Sequence, residues 1–260
     1  MSAAESMFLA SEAVNLGILS LAGVIAGIIN AIAGGGGFLA LPILLGLGLP
    51  AASANATMRV GVLLQNVGSL GGFHRHGLSN ARLSLIVGIP TMIGAFIGAE
   101  IAVFLPSEQL EPLFGGALLA WGLILLIRPG RFLHPPQDAR PFGALAFVFA
   151  TLVGIYGGFM QAGVGLPLLA LLVLYLGHDA VRSNAVKVTV VLAYTIAILP
   201  RFAMNDLIVW REGLILGAGM MLGGWLGARW QIRAGAKLVR WFVILMVGLS
   251  GAAMIYRALA

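Results

Sequence analysis

Two glycine interruptions in apolar sequence, set one constant distance apart, restrict this chain more than any other feature. Gly34-Gly35-Gly36-Gly37 stands inside one hydrophobic stretch and runs on into Phe38-Leu-Ala-Leu-Pro42; 129 residues later Gly163-Val-Gly165 stands inside another. A glycine inside a helix costs roughly 1 kcal/mol relative to Ala, so four in a row mark a break. At a break the backbone turns, approaches a neighbour closely or exposes its N–H groups.

The offset of 129 aligns the two halves without a gap. Gly34/Gly163, Gly36/Gly165, Asn55/Asn184, Arg82/Arg211, Gly94/Gly223 and Gly98/Gly227 are among the identities it creates. Shared Gly is common in such a sequence, whereas Asn and Arg recurring in one frame are not, so the chain is read as an internal duplication. Apolar segments fall at 13–33, 38–49, 52–72, 83–104 and 110–127, and again at 142–162, 166–177, 181–200, 208–228 and 238–256. The expected organisation is a first transmembrane repeat over 13–127, a polar link over 128–141, and a second repeat over 142–257.

Charged residues are 9% of the chain and hydrophobic residues 60%, with a mean hydropathy of +1.02. Soluble domains carry about 25% charged residues; the deficit here runs along the chain and indicates a polytopic membrane protein. The net charge of +6 lies mainly between apolar segments, which reads as cytoplasmic loop charge and not as a nucleic-acid surface. Cysteine is absent, which excludes thiol chemistry. Met1 to Glu12 holds two Glu and no Lys or Arg, so it lacks the basic start of a signal peptide, and the first apolar segment is expected to be retained.

Segments 38–49 and 166–177 have 12 residues each, about 18 Å as helix against a hydrocarbon core of roughly 30 Å. Read as short spans they give ten crossings with both termini outside and place ten Lys and Arg inside against three outside. Read as re-entrant they give eight spans and a ratio of eight to five. The positive-inside rule favours ten. Five spans per half is an odd number, so the fold expected is all-α, with two homologous inverted repeats and short or broken helices after the glycines. Gly94-x-x-x-Gly98 and Gly223-x-x-x-Gly227 are read as close-packing faces.

Polar groups within the apolar segments locate the chemistry, because lipid leaves them unsatisfied. Asn55, Arg59 and Asn66 fall within about 40° on one helical face. Asn184, Lys187, Tyr194 and Thr195 form a broader polar face in the second half. Arg59 and Lys187 are not repeat mates: they align with Val188 and Met58. Two cations beside two glycine breaks suggest an anion held by Arg59 and Lys187. Asn55, Asn66, Asn184, Tyr194 and the N–H groups of Gly35, Gly36 and Gly163 would shape the site, with helix N-termini adding positive potential. Asn30 and Gln161 stand at the breaks and serve either the ligand or the local backbone. The structural alternatives are snorkelling for the cations and helix capping for the asparagines.

No metal or cofactor is expected, since no His, Asp or Glu spacing makes a ligand set; His178-Asp179 reads as an interfacial turn. Gly68-Ser69-Leu70-Gly71 has the look of an intramembrane serine nucleophile but lacks a central His to activate it, so no enzyme is expected. The nine acids lie at segment ends or in loops, and none stands where a buried carboxylate would relay protons.

The run Gly23-Val-Ile-Ala-Gly27-Ile-Ile-Asn30-Ala-Ile-Ala-Gly34, continuing through Gly37 to Pro42, with Ala54-Asn-Ala-Thr57 beyond it, resembles the TauE/SafE sulfite-exporter family. So do Gly163-Val-Gly165-Leu-Pro167, Ser183-Asn-Ala185 and Gly223-Gly-Trp-Leu-Gly227-Ala-Arg229 in the second half. The family is also called the toluenesulfonate uptake permease family, and the likeness covers essentially the whole chain. Two departures are the run of four glycines and Val186-Lys187, where a Thr often follows the Asn-Ala pair. The resemblance implies a multi-pass bacterial inner-membrane transporter for sulfite, organosulfonates such as sulfoacetate or aromatic sulfonates, or small carboxylates. The expected mechanism is alternating access, with a passive anion channel or a carboxylate carrier as the alternative. Expected partners are a small anionic substrate and membrane lipid; a homodimer is admitted and nucleic acid is not.

Overall fold

The computed structural model describes residues 3–74, 76–78, 80–127 and 140–234. The expected tenth segment, 238–256, and most of the inter-repeat link lie outside the described residues. All described elements are helical: α1 (Ala3–Ala33), α2 (Gly37–Gly46), α3 (Ala51–His74), α4 (Ala81–Phe104), α5 (Ser107–Ile127), α6 (Ala144–Phe159), α7 (Gly165–Leu169, prolonged by a π-helical turn over Ala170–Tyr175), α8 (Ala180–Ala203) and α9 (Trp210–Ala234). The stretches Leu16–Ala33, Ala81–Phe104 and Ala180–Ala203 are long and apolar enough to cross a membrane.

The duplication is visible in the backbone. Among the described residues the positive-φ positions are Gly34, Gly48, Gly77, Gly163, Gly177 and Asp206, which form three pairs 129 apart. Gly34 at φ 77° and Gly163 at φ 78° lie in the breaks after the first helix of each half, in the left-handed region that glycine alone enters without steric cost. α3 and α8 both have 24 residues and start 129 positions apart.

Helix directions follow from which residues meet. On α9, Gly213 lies against Thr57 and Val60 of α3, Gly217 against Leu64, and Gly224 against Gln65 and Ser69. Numbers rise together, so α3 and α9 run parallel. α1 is parallel to α9 as well, with Gly219 on Ser20, Gly223 on Val24 and Gly227 on Ile28. α4 is parallel to α6, with Gly94 on Thr151 and Gly98 on Ile155. It is also parallel to α8, through Gly88 on Val190 and a bidentate ion pair between Arg201 and Glu100. By contrast, α3 and α8 are antiparallel: Arg59 lies on Phe202, whereas Phe73 packs with Ala185 and Val188.

Six helices therefore form two parallel triplets, α1–α3–α9 and α4–α6–α8, which run in opposite directions. Each triplet draws helices from both halves of the sequence. Because α1 and α3 share a direction, the chain returns between them through α2. The α7 segment does the same between α6 and α8.

Polarity is arranged inside out. Leu85, Ile89, Ile93, Phe96, Ile101 and Phe104 of α4 and Leu145, Val148 and Leu152 of α6 are exposed, while Asn55, Thr57, Arg59, Gln65, Asn66 and Ser69 of α3 are buried. In water such an apolar exterior would aggregate; against lipid chains it is the surface a membrane protein needs. Helix starts near the rim are capped by side chains. Asn80 accepts from Leu83 N–H at 3.0 Å, and Asp179 accepts from the N–H groups of Val181 and Arg182 at 2.9 and 3.1 Å. The turn at His178-Asp179 is thus a helix cap.

Packing at the triplet seams makes two stability predictions. A methyl on Gly223 would fall on the carbonyl of Val24, whereas one on Gly115 of α5 meets nothing within 4 Å. In detergent thermal melts, Gly223→Ala should therefore lose about 1–3 kcal/mol, and Gly115→Ala should lose none. Asp206 holds φ 54° where its repeat mate is Gly77, so Asp206→Gly should raise the melting temperature, by about 1 kcal/mol of relieved strain.

Candidate functional site

Helix α6 stops at Phe159, earlier than the apolar stretch to 162 suggests, and its last carbonyls end inside the bundle. A helix C-terminus leaves four carbonyls without intrahelical partners and carries the negative end of the macrodipole. Arg59 and Asn55, on the polar face of α3, supply the donors. Arg59 Nη1 donates to Gly157 O at 3.1 Å and Nη2 to Gly158 O at 2.6 Å and Phe159 O at 3.3 Å. Asn55 Nδ2 donates to Phe159 O at 2.9 Å, and its Oδ1 accepts from Gln161 N–H at 3.3 Å. Nη1 also donates to Gln161 Oε1 at 3.1 Å, which accepts from the Tyr194 hydroxyl at 3.2 Å as well. The guanidinium lies 4.2 Å from the Phe202 ring centroid, a cation–π contact. Tyr156 closes the cluster by donating to Ala162 O at 2.6 Å.

The end of α1 is met in the same way by α8. Lys187 Nζ donates to Asn30 O at 2.8 Å and Ala31 O at 3.4 Å, and Asn184 Nδ2 donates to Ile32 O at 2.9 Å. The side chain of Asn30 turns back: its Oδ1 accepts from Gly36 N–H at 3.3 Å, and its Nδ2 donates to Gln65 Oε1 at 2.6 Å. Gln65 in turn donates to the Ser69 hydroxyl at 2.7 Å. Ser69 thus serves an amide network.

The two clusters are reciprocal. Arg59 and Asn55 reach from the α1–α3–α9 triplet to a break in the other triplet; Lys187 and Asn184 reach back. Between them the breaks touch, since a methyl on Gly34 would lie 2.6 Å from Gly165 Cα and one on Gly37 would lie 2.6 Å from Ala162 Cα. Only glycine admits that approach.

Most residues that the sequence singles out are brought to this seam. Asn30, Gly36, Asn184 and Lys187 meet at the first break; Asn55, Arg59, Gln161, Gly163 and Tyr194 meet at the second. Gly35 stands two residues before α2, its carbonyl accepting from Phe38 N–H at 3.0 Å. Asn66 joins neither cluster through its amide nitrogen, which donates to Val62 O of its own helix at 2.9 Å. The sequence pairs the cations with helix N-termini, whereas here they rest against helix C-termini. Gln65 is the functional-looking residue that sequence reasoning missed. Its signal was an amide in an apolar segment, but it stands about 80° off Asn55 on the helix, outside the stripe.

Electrostatically the seam is unbalanced. Arg59 and Lys187 are 0% and 2% exposed, and neither meets a carboxylate among the described residues. Among the described residues, two buried donors, Arg59 Nε and Gln161 Nε2, find no partner, and neither does the acceptor Asn184 Oδ1. Uncompensated cations with free donors, enclosed by lipid-facing helices, are the surroundings that attract an oxyanion.

Comparison with known proteins agrees with this architecture. The family model for sulfite exporter TauE/SafE matches residues 19–254. Among curated proteins, the chain is 25% identical over 256 residues to the probable membrane transporter protein YfcA of Escherichia coli strain K12, covering 97% of this chain and 93% of that one. It is 27% identical to a probable membrane transporter protein of Haemophilus influenzae, covering 93% and 94% of the two chains. It is 26% identical to the probable membrane transporter protein ORF9 of a Sinorhizobium species, covering 89% and 88%. No solved structure matches. A multi-pass helical fold of the inner membrane, a duplicated pair of broken helices and a family match across nearly the whole length agree: the chain belongs to the TauE/SafE family of membrane transporters.

Proposed function

We propose that this transporter carries small sulfur oxyanions, sulfite or an organosulfonate, by alternating access between two inverted repeats. The observation that carries the reading is the pair of buried cations without a carboxylate at the touching breaks. A buried charge is costly unless paired and hydrogen-bonded, and a membrane carrier of anions has reason to retain it. Guanidinium suits the divergent oxygens of a sulfur oxyanion, and ammonium adds a point charge. Duplication is supported by the paired positive-φ residues, and inversion by the opposed directions of the repeat mates α3 and α8.

In this mechanism the anion displaces carbonyls. On entry it takes over donors of Arg59 that now hold the end of α6, the free amide of Gln161, and the amino group of Lys187 that now holds the end of α1. The two triplets then pivot about the glycine contact, since their internal seams are too close-packed to slide. When the anion leaves, the carbonyls reclaim the side chains of Arg59 and Lys187 and the breaks close again.

The test is thermal stabilisation of the purified protein by sulfite, sulfonates, carboxylates and phosphate. A ligand at 100 times its Kd adds about 2.7 kcal/mol of stability. A sulfur oxyanion should give that shift in the parent and none in Arg59→Ala. Each variant should also melt lower without ligand, by about 1.5–3 kcal/mol for the lost charged hydrogen bonds. If both Arg59→Ala and Lys187→Ala keep the full ligand shift, the cations only brace the fold and the site lies elsewhere.

A further inference from the structure

The two braces use different cations at matching places, and the difference is chemical. Arg59 stays charged in any protein environment, whereas a buried lysine gives up its proton readily. Arg59 is surrounded by acceptors: three carbonyls, one amide oxygen and an aromatic face. Among the described residues Lys187 has two carbonyls, at 2.8 and 3.4 Å, and no carboxylate, hydroxyl or ring. Two carbonyls are a set that the two N–H groups of a neutral amine can fill.

Among the described residues, nothing packed against α8 supplies a countercharge to Lys187. α1 offers Asn30 and Ala31 carbonyls, and its Glu12 stands 18 residues before Asn30, about 27 Å along the helix. α3 carries Arg59, already engaged with α6, and His74 in its last turn. α4 carries Arg82 in its first turn and Glu100, paired with Arg201 at the far end of α8. On α8 itself Arg182 lies in the first turn, and α7 carries no charge. Among the described residues no buried carboxylate stands at this seam to move protons.

We propose that Lys187 is the proton-coupling group of the carrier, charged while the anion is bound and neutral while the site is empty and closed. This rests on the anion reading above and adds the coupling ion to it. The step is a proton transfer. As the anion enters, the Lys187 lone pair takes a proton from hydronium on the side to which the site is open. After the anion leaves on the other side, the same N–H bond breaks towards water there. One proton thus travels with each anion, and for a singly charged anion the cycle moves no net charge. Arg59 supplies the constant positive charge that holds the anion whichever way the site faces.

The experiment uses the full-length protein in liposomes, with radiolabelled methanesulfonate as probe, because it stays a monoanion at every working pH, and the membrane potential clamped at zero. Two quantities are read: methanesulfonate counterflow at equal pH, and its accumulation driven by an imposed pH gradient. The wild type should show both. Lys187→Arg, with its charge fixed, should slow counterflow without abolishing it and lose gradient-driven accumulation. Its remaining counterflow should be flat with pH where that of the wild type falls as pH rises. Lys187→Gln guards against a misfit of the larger guanidinium; it should be slower still, equally flat, and without accumulation. Accumulation by either variant to the wild-type ratio overturns the proposal, as does a wild type that exchanges methanesulfonate but ignores the gradient; both leave the anion reading standing. A wild type with no methanesulfonate counterflow removes the organosulfonate reading and the proposal with it.

Discussion

The structure depends on two helix ends that stop inside a membrane protein. A carbonyl end buried away from water must find donors, and in lipid it can find them only in protein. Here each end is met by a cation and an asparagine from the opposing triplet: Arg59 and Asn55 for α6, Lys187 and Asn184 for α1. The residues that fasten the two triplets together are therefore the residues that carry uncompensated charge. In the proposed mechanism, fastening and anion attraction are one set of contacts.

That identity links packing to motion. Within each triplet, glycines bring backbones so close that a single methyl would collide, as at Gly94 on Thr151 and Gly154 on Thr91. Between triplets the contacts include long polar side chains and the Gly34–Gly165 touch. Close-packed bodies joined by exchangeable hydrogen bonds move as units and break at the hydrogen bonds. An anion that competes for those donors changes the energy of the joint and leaves the bodies intact.

Much of this was legible in the sequence because repeats constrain backbone. The frame of 129 predicted that Gly34 and Gly163 do the same work, and both lie in a helix break with nearly the same φ. It did not predict that Asp206 would take the place of Gly77, since the turn geometry survives a change of residue that sequence identity does not. The polar faces of α3 and α8 were legible from spacing, because a stripe shows which residues point together. What the stripe points at was not, because the partners of Arg59 and Lys187 lie 98 to 157 positions away. Asn66 shows the limit in the other direction: it stands on the stripe, yet its amide nitrogen turns back to its own helix.

The central claim is that each cation braces the break of the opposing triplet. Amide hydrogen exchange in the purified protein tests it most directly, with the parent compared with Arg59→Ala and Lys187→Ala. The account predicts that Arg59→Ala speeds exchange around residues 157–165 and spares 30–37, and that Lys187→Ala does the reverse. Exchange that rises equally at both breaks, or only within the helix that carries the substitution, would contradict it.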